Sequence, residues 1–312
     1  MDTLAVVLEE PERLSLRRLE LKDAEAGDLI VEIDWSGIST GTERLLWTGR
    51  MPPFPGMGYP LVPGYESVGR VIDAGESVRS RIGERVFVPG SSGFKDARGL
   101  FGGAAHRVVA PSARVITISE SLGEQGVLIA LAATARHAIA ATHAAPPDLI
   151  VGHGVLGRLI ARIAIAEGNP APTVWETDAT RQGGAVGYSV IHPDADERKN
   201  YTAIYDASGA GQLLDTLIAR LARGGEVVLA GFYDQLSFSF PPAFMREARL
   251  RIATEFLPQD LAAIIALIDG GKLSLDGLIT HRLNAAEAQN AYRTAFSDMS
   301  CLKMVLDWRG AE

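Results

Sequence analysis

One stretch constrains this chain more than any other: Asp148 to Glu176, DLIVGHGVLGRLIARIAIAEGNPAPTVWE. Leu149-Ile150-Val151 is a short apolar run of strand type, and Gly152, Gly154 and Gly157 follow it at G-x-G-x-x-G spacing. Apolar residues then recur with helical spacing through Leu159, Ile160, Ile163 and Ala164, and Gly168 closes the run. A second strand, Thr173-Val174-Trp175, ends on Glu176, an acid standing about 20 residues beyond the last glycine. The pattern predicts a β-α-β unit.

Each part of that unit has a physical task. The first glycine permits the tight turn out of the strand, the second lets backbone approach a pyrophosphate, and the third lets helix and strand pack closely. Free N–H groups and the dipole at the helix start favour phosphate. A carboxylate at the end of the second strand accepts hydrogen bonds from ribose hydroxyls and repels a 2′-phosphate, so NAD is expected rather than NADP. The expected cofactor residues are Gly152, His153, Gly154, Val155, Leu156, Gly157, Glu176 and Thr177, joined by Ser208, Gly231 and Phe232 at the ends of later strands. His153 is expected to face the cofactor or solvent. A glycine-rich turn that binds nothing is the plainer alternative, and the strand, helix and acid around this one outweigh it.

Composition narrows the function classes. The 312 residues are 47% hydrophobic and 22% charged, ordinary for a chain that buries a full core. The net charge of −8 gives no support to nucleic-acid binding, which usually shows a basic face. Cys301 is the only cysteine, so neither an intramolecular disulfide nor a cysteine-rich zinc lobe can form. The start of the chain carries Asp2, Glu9 and Glu10 and lacks the basic-then-apolar pattern of a signal peptide. The longest apolar candidate, Val127 to Ala141, is interrupted by Arg136 and His137, so no spanning helix is expected. A cytoplasmic enzyme is expected, with loose membrane association left open.

Residues 1 to about 35 alternate in strand fashion, most clearly at Leu4–Leu8 and Leu29–Ile33. Ser36 to Glu43, SGISTGTE, is a turn rich in hydroxyls. Met51 to Gly64 carries five prolines, at 52, 53, 55, 60 and 63, which exclude helix and central strand. Phe54, Met57 and Tyr59 in that loop either line an apolar substrate mouth or pin the loop to the body. Short strands follow at Ser67–Ile72, Arg85–Val88 and Ala105–Ala110, a spacing that predicts an irregular β-barrel. Ser121 to Thr142 is expected as one long helix, with Ser121 and Glu124 as its capping box. After Glu176, strands are expected at Val186–Ile191, Ala203–Tyr205, Glu226–Ala230 and Leu250–Thr254, with a helix at Leu213–Ala222. This alternation predicts an α/β fold with a doubly wound parallel sheet, whose ligands sit beyond the strand C-termini. A helix at Pro258–Ile268, the stretches Leu278–Arg282 and Ala285–Phe296, and a strand at Lys303–Trp308 complete the chain.

Together, PLVPGYESVGRVIDAG (60–75), IGERVFV (82–88), GHGVLG (152–157), YDASG (205–209), LITHRL (278–283) and AYR…KMVL (291–306) resemble the medium-chain dehydrogenase/reductase family through most of the chain. The resemblance implies a GroES-like β-barrel domain at 1–119 and 259–312, a Rossmann NAD-binding domain at 120–258, and an active site in the cleft between them. It also implies a homodimer formed through the last Rossmann strand.

The departures from the family bear on the chemistry. Zinc members carry G-H-E where this chain has Gly64-Tyr65-Glu66. Their cysteine ligand lies in a turn that here reads Ser39-Thr40-Gly41-Thr42-Glu43; anchoring on Thr42-Glu43 places Thr40 at the cysteine, and anchoring on Gly37-Ile38 places Ser39 there. The third ligand falls near Ala130. Hydroxyls and one carboxylate do not make a zinc site of the usual N/S type, so no metal is expected. Proton removal then falls to a hydroxyl relay. The candidates are Ser39, Thr40, Thr42 and Tyr65, with Glu66 as a buried carboxylate and His137 on the following helix. Tyr65 needs a cationic neighbour to act as a base, since a free phenol titrates near pH 10. Tyr65 as filler for the lost histidine, and Glu66 as a structural acceptor, are the plainer readings. His137 and His281 are expected to be structural or surface residues.

Within the family, the short length, STGTE, GYESVGRV and GHGVLGRL are most similar to members that oxidise a hydroxyethyl side chain of a bacteriochlorophyllide-type tetrapyrrole to acetyl, with NAD as hydride acceptor. A zinc-free quinone or enoyl reductase is the second reading. Glu176 opposes it, because those members usually prefer NADPH. A nucleotide-binding scaffold without catalysis is the third.

Overall fold

The computed structural model describes residues 1–311 apart from Phe54 and Asp234. Phe54, named above for the substrate mouth, therefore lies outside the described residues. The chain divides into two compact units, Met1–Ala130 with Leu275–Glu312, and Leu131–Ser274. The sequence places the divisions near 119 and 258; those of the structure fall later. Helix Pro258–Asp269 stays with the second unit because its Asp260 accepts from Arg136 Nη1 at 2.7 Å and pairs with His137 Nδ1 at 2.9 Å.

The second unit is built on six parallel strands. Their spatial order is Ser189–Ile191, Thr173–Trp175, Leu149–Val151, Tyr201–Asp206, Leu221–Leu229, Arg249–Ile252. The strand order reverses around Leu149–Val151, which has Thr173–Trp175 on one side and Tyr201–Asp206 on the other. That point is where an open α/β sheet takes its ligand. Helix Val155–Ala166 follows at once, and its Leu159, Ile160 and Ile163 are fully buried. Each such side chain contributes about 1.5–3 kcal/mol of apolar burial. The strand expected from Val186 is shorter, Ser189–Ile191, because Gly187 turns the chain at φ 79° just before it.

The long helix expected over Ser121–Thr142 is two elements. Glu120–Leu128 is a 3-10 stretch broken at Gly123 (φ 50°, ψ −132°), and the α-helix runs only over Ile129–Ile139. The cap is Ser119, whose hydroxyl accepts the Ser121 N–H at 3.3 Å. Glu124 instead accepts from Arg282 Nε at 2.7 Å, so the capping box does not form. Only Gly tolerates the Gly123 backbone at no cost, and that glycine is what divides the run.

In the first unit the hub is strand Asp28–Ile38, antiparallel to Ser67–Ala74, Arg107–Pro111 and Met304–Asp307. The expected β-barrel is not closed by one ladder. Among the described residues its strands form a seven-stranded sheet and a four-stranded sheet, linked by the bridge Ala5–Ala105 and bonds such as Val6 N–H to Ala104 O at 2.9 Å. Both sheets share one core that includes Val6, Leu8, Leu29, Ile33, Val71, Tyr292 and Leu306. The hub strand ends by delivering Gly37 and Ile38 to the Ser39 turn, which enters helix Thr42–Trp47.

Candidate functional site

The glycine turn of the second unit has the geometry its spacing implies. Gly152 leaves its strand at φ 96°, and its N–H donates to Trp175 O at 2.9 Å. A Cβ on Gly157 would stand 1.9 Å from Gly152 O, so helix and turn touch there without a side chain between them. A Cβ on Gly154 would meet nothing within 4 Å. Gly154 is also the helix N-cap, and no side chain caps it. The turn therefore presents open space in front of an uncapped helix start, the cradle a pyrophosphate needs. Val155 is buried and anchors that first turn, while Leu156 is partly exposed.

Glu176 is partly buried, and backbone orients its carboxylate. Oε2 accepts the His153 N–H at 3.1 Å and Oε1 accepts the Asp178 N–H at 2.9 Å. A carboxylate has about four acceptor positions, so two remain for hydroxyl donors. Thr177 beside it is exposed. Ser208 lies against Gly152, and its N–H and hydroxyl both bond Asp206 Oδ1, at 2.8 and 2.6 Å. Gly231 packs on Gly209, where an added Cβ would stand 2.9 Å from the Gly209 nitrogen, and Phe232 is 49% exposed. The structure thus brings Gly152, Ser208 and Gly231 together at the C-terminal ends of three adjacent strands.

His153 departs from its expectation. Its ring faces neither solvent nor the open side of the turn: the residue is fully buried. Nδ1 lies 2.7 Å from Arg181 O and Nε2 lies 2.9 Å from the Tyr188 hydroxyl. Burial first, and Arg158 after it, hold its pKa down to about 4. The imidazole is neutral at working pH, donating from Nδ1 to the carbonyl and accepting at Nε2 from the phenol. What His153 offers the turn is its backbone N–H, which Glu176 takes.

In the first unit, three of the expected hydroxyls form one cluster. The Tyr65 hydroxyl donates to Ser39 Oγ at 2.7 Å and lies 3.4 Å from Thr42 Oγ1. Ser39 is 4% exposed, Thr42 is partly exposed, and Thr40 is exposed with no hydrogen bond to the cluster. The Tyr65 ring meets Phe101 edge to face at 5.1 Å. Burial pushes the Tyr65 phenol well above its usual value, and the Glu66 charge pushes it further, while Ser39 and Thr42 pull it back. The cationic neighbour a tyrosine base requires is not among these causes, so Tyr65 is a neutral hydroxyl. Of the two histidines read as structural, His137 bonds Asp260 and His281 Nδ1 lies 2.9 Å from Thr280 Oγ1.

Behind the hydroxyls lies a buried ionic cluster that the sequence reading did not assemble. Glu66 is fully buried, and Lys303 Nζ reaches its carboxylate at 2.7 and 3.0 Å and Ile38 O at 3.2 Å. Burial raises the Glu66 pKa, and Lys303 offsets part of the rise. Glu43, also fully buried, accepts the Ser39 N–H at 2.9 Å and the Tyr292 hydroxyl at 2.6 Å. Burial pushes Glu43 up to about 7, opposed by its bonds to Ser39 and Tyr292, with Glu66 adding to the rise. Gly37 makes room for this arrangement, since a Cβ there would stand 2.2 Å from Glu66 Oε2. One signal was available beforehand: Lys303 is a lone cation in the apolar run Cys301-Leu302-Lys303-Met304-Val305-Leu306. Tyr292 stood out only as part of the AYR…KMVL stretch. Among the described residues, no three His, Cys, Asp or Glu side chains gather as a metal centre would need, and Ala130 is fully buried.

Comparison with known proteins places this geometry. Residues 25–120 match the alcohol dehydrogenase GroES-like domain. The 2-desacetyl-2-hydroxyethyl bacteriochlorophyllide A dehydrogenase of Rhodobacter capsulatus is 57% identical, with 100% of both chains covered. Its namesake from Cereibacter sphaeroides is also 57% identical, with 99% of both covered. Among solved structures, a short chain alcohol dehydrogenase from Escherichia coli CFT073, complexed with NADH, matches at TM-score 0.83 and 21% identity over 98% of this chain and 99% of that one. 2R,3R-butanediol dehydrogenase from Bacillus subtilis matches at TM-score 0.84 and 19% identity, over 99% of this chain and 100% of that one. At those identities the solved structures establish the fold alone.

Proposed function

We propose that this chain, which belongs to the medium-chain dehydrogenase/reductase family, oxidises the hydroxyethyl side chain of a bacteriochlorophyllide to an acetyl group with NAD. The full-length identity to two bacteriochlorophyllide dehydrogenases is the observation that carries the reading. In the reaction the carbinol carbon loses a hydride, the hydroxyl loses its proton to water, and a C=O bond forms. When bound, NAD supplies the hydride acceptor. The Gly152–Gly157 turn and the uncapped helix start hold its pyrophosphate, and the free acceptor positions of Glu176 take its ribose hydroxyls.

The proton is the task of the hydroxyl cluster, without zinc. A neutral Tyr65 accepts the substrate proton only as it passes its own to Ser39, along the 2.7 Å bond between them. Thr42, the second partner of that phenol at 3.4 Å, is partly exposed and opens the cluster to water, while Thr40 lies outside it. Glu66 enters as the partner of Lys303 rather than as the base. Such a relay is worth about 10²–10⁴ in rate.

The chain is also read as a homodimer. Strand Arg249–Ile252 is the edge of the parallel sheet, Ile252 is 73% exposed, and Phe240, Phe244 and Met245 are exposed on the preceding helix. Among the described residues, no helix is long and apolar enough to cross a membrane.

The experiment is incubation of the purified chain with hydroxyethyl-bacteriochlorophyllide and either NAD or NADP. Growth of reduced-nicotinamide absorbance together with a shift of the pigment spectrum is expected with NAD. No turnover with either cofactor overturns the reading.

A further inference from the structure

His153 and Arg158 lie on the glycine turn and its helix; they are 0% and 4% exposed, and neither reaches the open side of the cradle. His153 Nδ1 and Nε2 and Arg158 Nη2 all bond one segment of chain, residues 181–188. Arg158 Nε donates to His153 O at 2.9 Å, and Nη2 donates to Arg181 O at 3.0 Å and to Gly183 O at 2.8 Å. His153 Nδ1 adds a second donor to Arg181 O, and the Tyr188 hydroxyl closes the set on His153 Nε2. The Tyr188 ring meets the imidazole edge to face at 5.6 Å. Gly184 clears the space, because a Cβ there would stand 2.5 Å from Arg158 Nη1. The segment held in this way is the one that leaves Glu176, and Gln182 ties it back by donating to Glu176 O at 2.9 Å.

We propose that His153, Arg158 and Tyr188 are positioning residues of the dinucleotide site, clamping residues 181–183 so that the Glu176 carboxylate is held for the ribose of NAD and against a 2′-phosphate. The proposal rests on the dinucleotide reading given above. The reason is geometric. Both N–H groups that orient Glu176 adjoin the clamped backbone: that of His153, the residue whose carbonyl Arg158 holds, and that of Asp178, three residues before Arg181. The guanidinium uses two nitrogens at once, Nε on His153 O and Nη2 on Arg181 O and Gly183 O, and the single nitrogen of an ammonium does not reproduce that spread. Loosening the fork frees the carboxylate to swing. It then loses its bonds to ribose hydroxyls and its fixed repulsion of a phosphate together.

The test is titration of the full chain with NADH and with NADPH, for the unaltered protein, Arg158→Lys and Tyr188→Phe, with far-UV circular dichroism on each. Arg158→Lys is expected to raise the NADH dissociation constant about tenfold, as loss of a charge-assisted bond does. NADPH binding is expected not to weaken, so that the preference shrinks by the same factor. Tyr188→Phe keeps the ring contact, removes only the hydroxyl, and is expected to give the same pattern at about threefold. In turnover, KM for NAD rises with kcat within about twofold, because uniform binding is what is lost. Equal weakening of both cofactors, or an unchanged preference in folded variants, overturns the proposal alone. Failure of the unaltered chain to bind either dinucleotide overturns the nucleotide reading, and the clamp with it.

Discussion

Replacing Lys303 by methionine isolates the ion pair behind the hydroxyl cluster. Lys303 and Glu66 have side-chain exposures of 2% and 0%, so neither charge has water to fall back on. Removing one partner of such a pair costs about 3–5 kcal/mol, because the other is left buried and unpaired. Lysine is the one neighbour that lowers the Glu66 pKa, so Lys303→Met drives that pKa further above its ordinary 4.5. A carboxyl with a raised folded pKa contributes stability that is fully present below its unfolded value and is lost as pH rises through the folded one. The deficit of Lys303→Met should therefore be smallest at the acid end and grow toward pH 8. Glu66→Met with Lys303→Met should recover most of it and flatten its pH dependence, since two apolar residues of similar volume need no partner. Urea denaturation of the full chain at pH 5.5 and pH 8 reads both effects. An equal deficit at the two pH values, or a double variant as unstable as the single one, refutes the reasoning.

Tyr65→Phe removes the hydroxyl bonded to Ser39; kcat should fall about 10²–10⁴-fold with NADH affinity unchanged, and an unaltered kcat in steady-state assays removes Tyr65 from the relay. Glu43 is a carboxyl raised to about 7 from 4.5, so its contribution is complete below pH 4.5 and declines as pH rises through 7, by about 3 kcal/mol in all. Glu43→Gln should flatten that decline in a denaturation series from pH 5 to 8, and an unchanged slope contradicts the assignment. Ile252→Glu places a charge on the exposed sheet edge and should convert a dimer to a monomer in light scattering after size exclusion, whereas a dimer that persists moves the interface elsewhere.

The fold was legible where local chemistry decides it. Gly152, Gly154 and Gly157 each do what spacing implied, because a tight turn, an open approach and a close packing are properties of a residue without a side chain. The division of the 121–142 helix was not legible, because Gly123 is tolerated within a helical pattern and only its φ of 50° reveals the break. The open edges of the expected barrel were hidden for a similar reason: strand periodicity says which face is buried, not whether the last ladder closes. In the candidate site, hydroxyls near in sequence were found and partners far from them were not. Tyr292 reaches Glu43, and Lys303 reaches Glu66, across more than two hundred residues of chain. His153 shows the converse limit. Its place inside the glycine motif suggested the cofactor, but motif spacing fixes backbone, and the ring turned inward to Arg181 and Tyr188.

The central claim is hydride transfer from the carbinol carbon of a hydroxyethyl macrocycle to NAD. It is tested most directly with substrate deuterated at that carbon, by mass analysis of the reduced cofactor after turnover. The account expects one deuterium on the nicotinamide ring for each acetyl group formed. Acetyl product with an unlabelled cofactor, or no product at all, contradicts it.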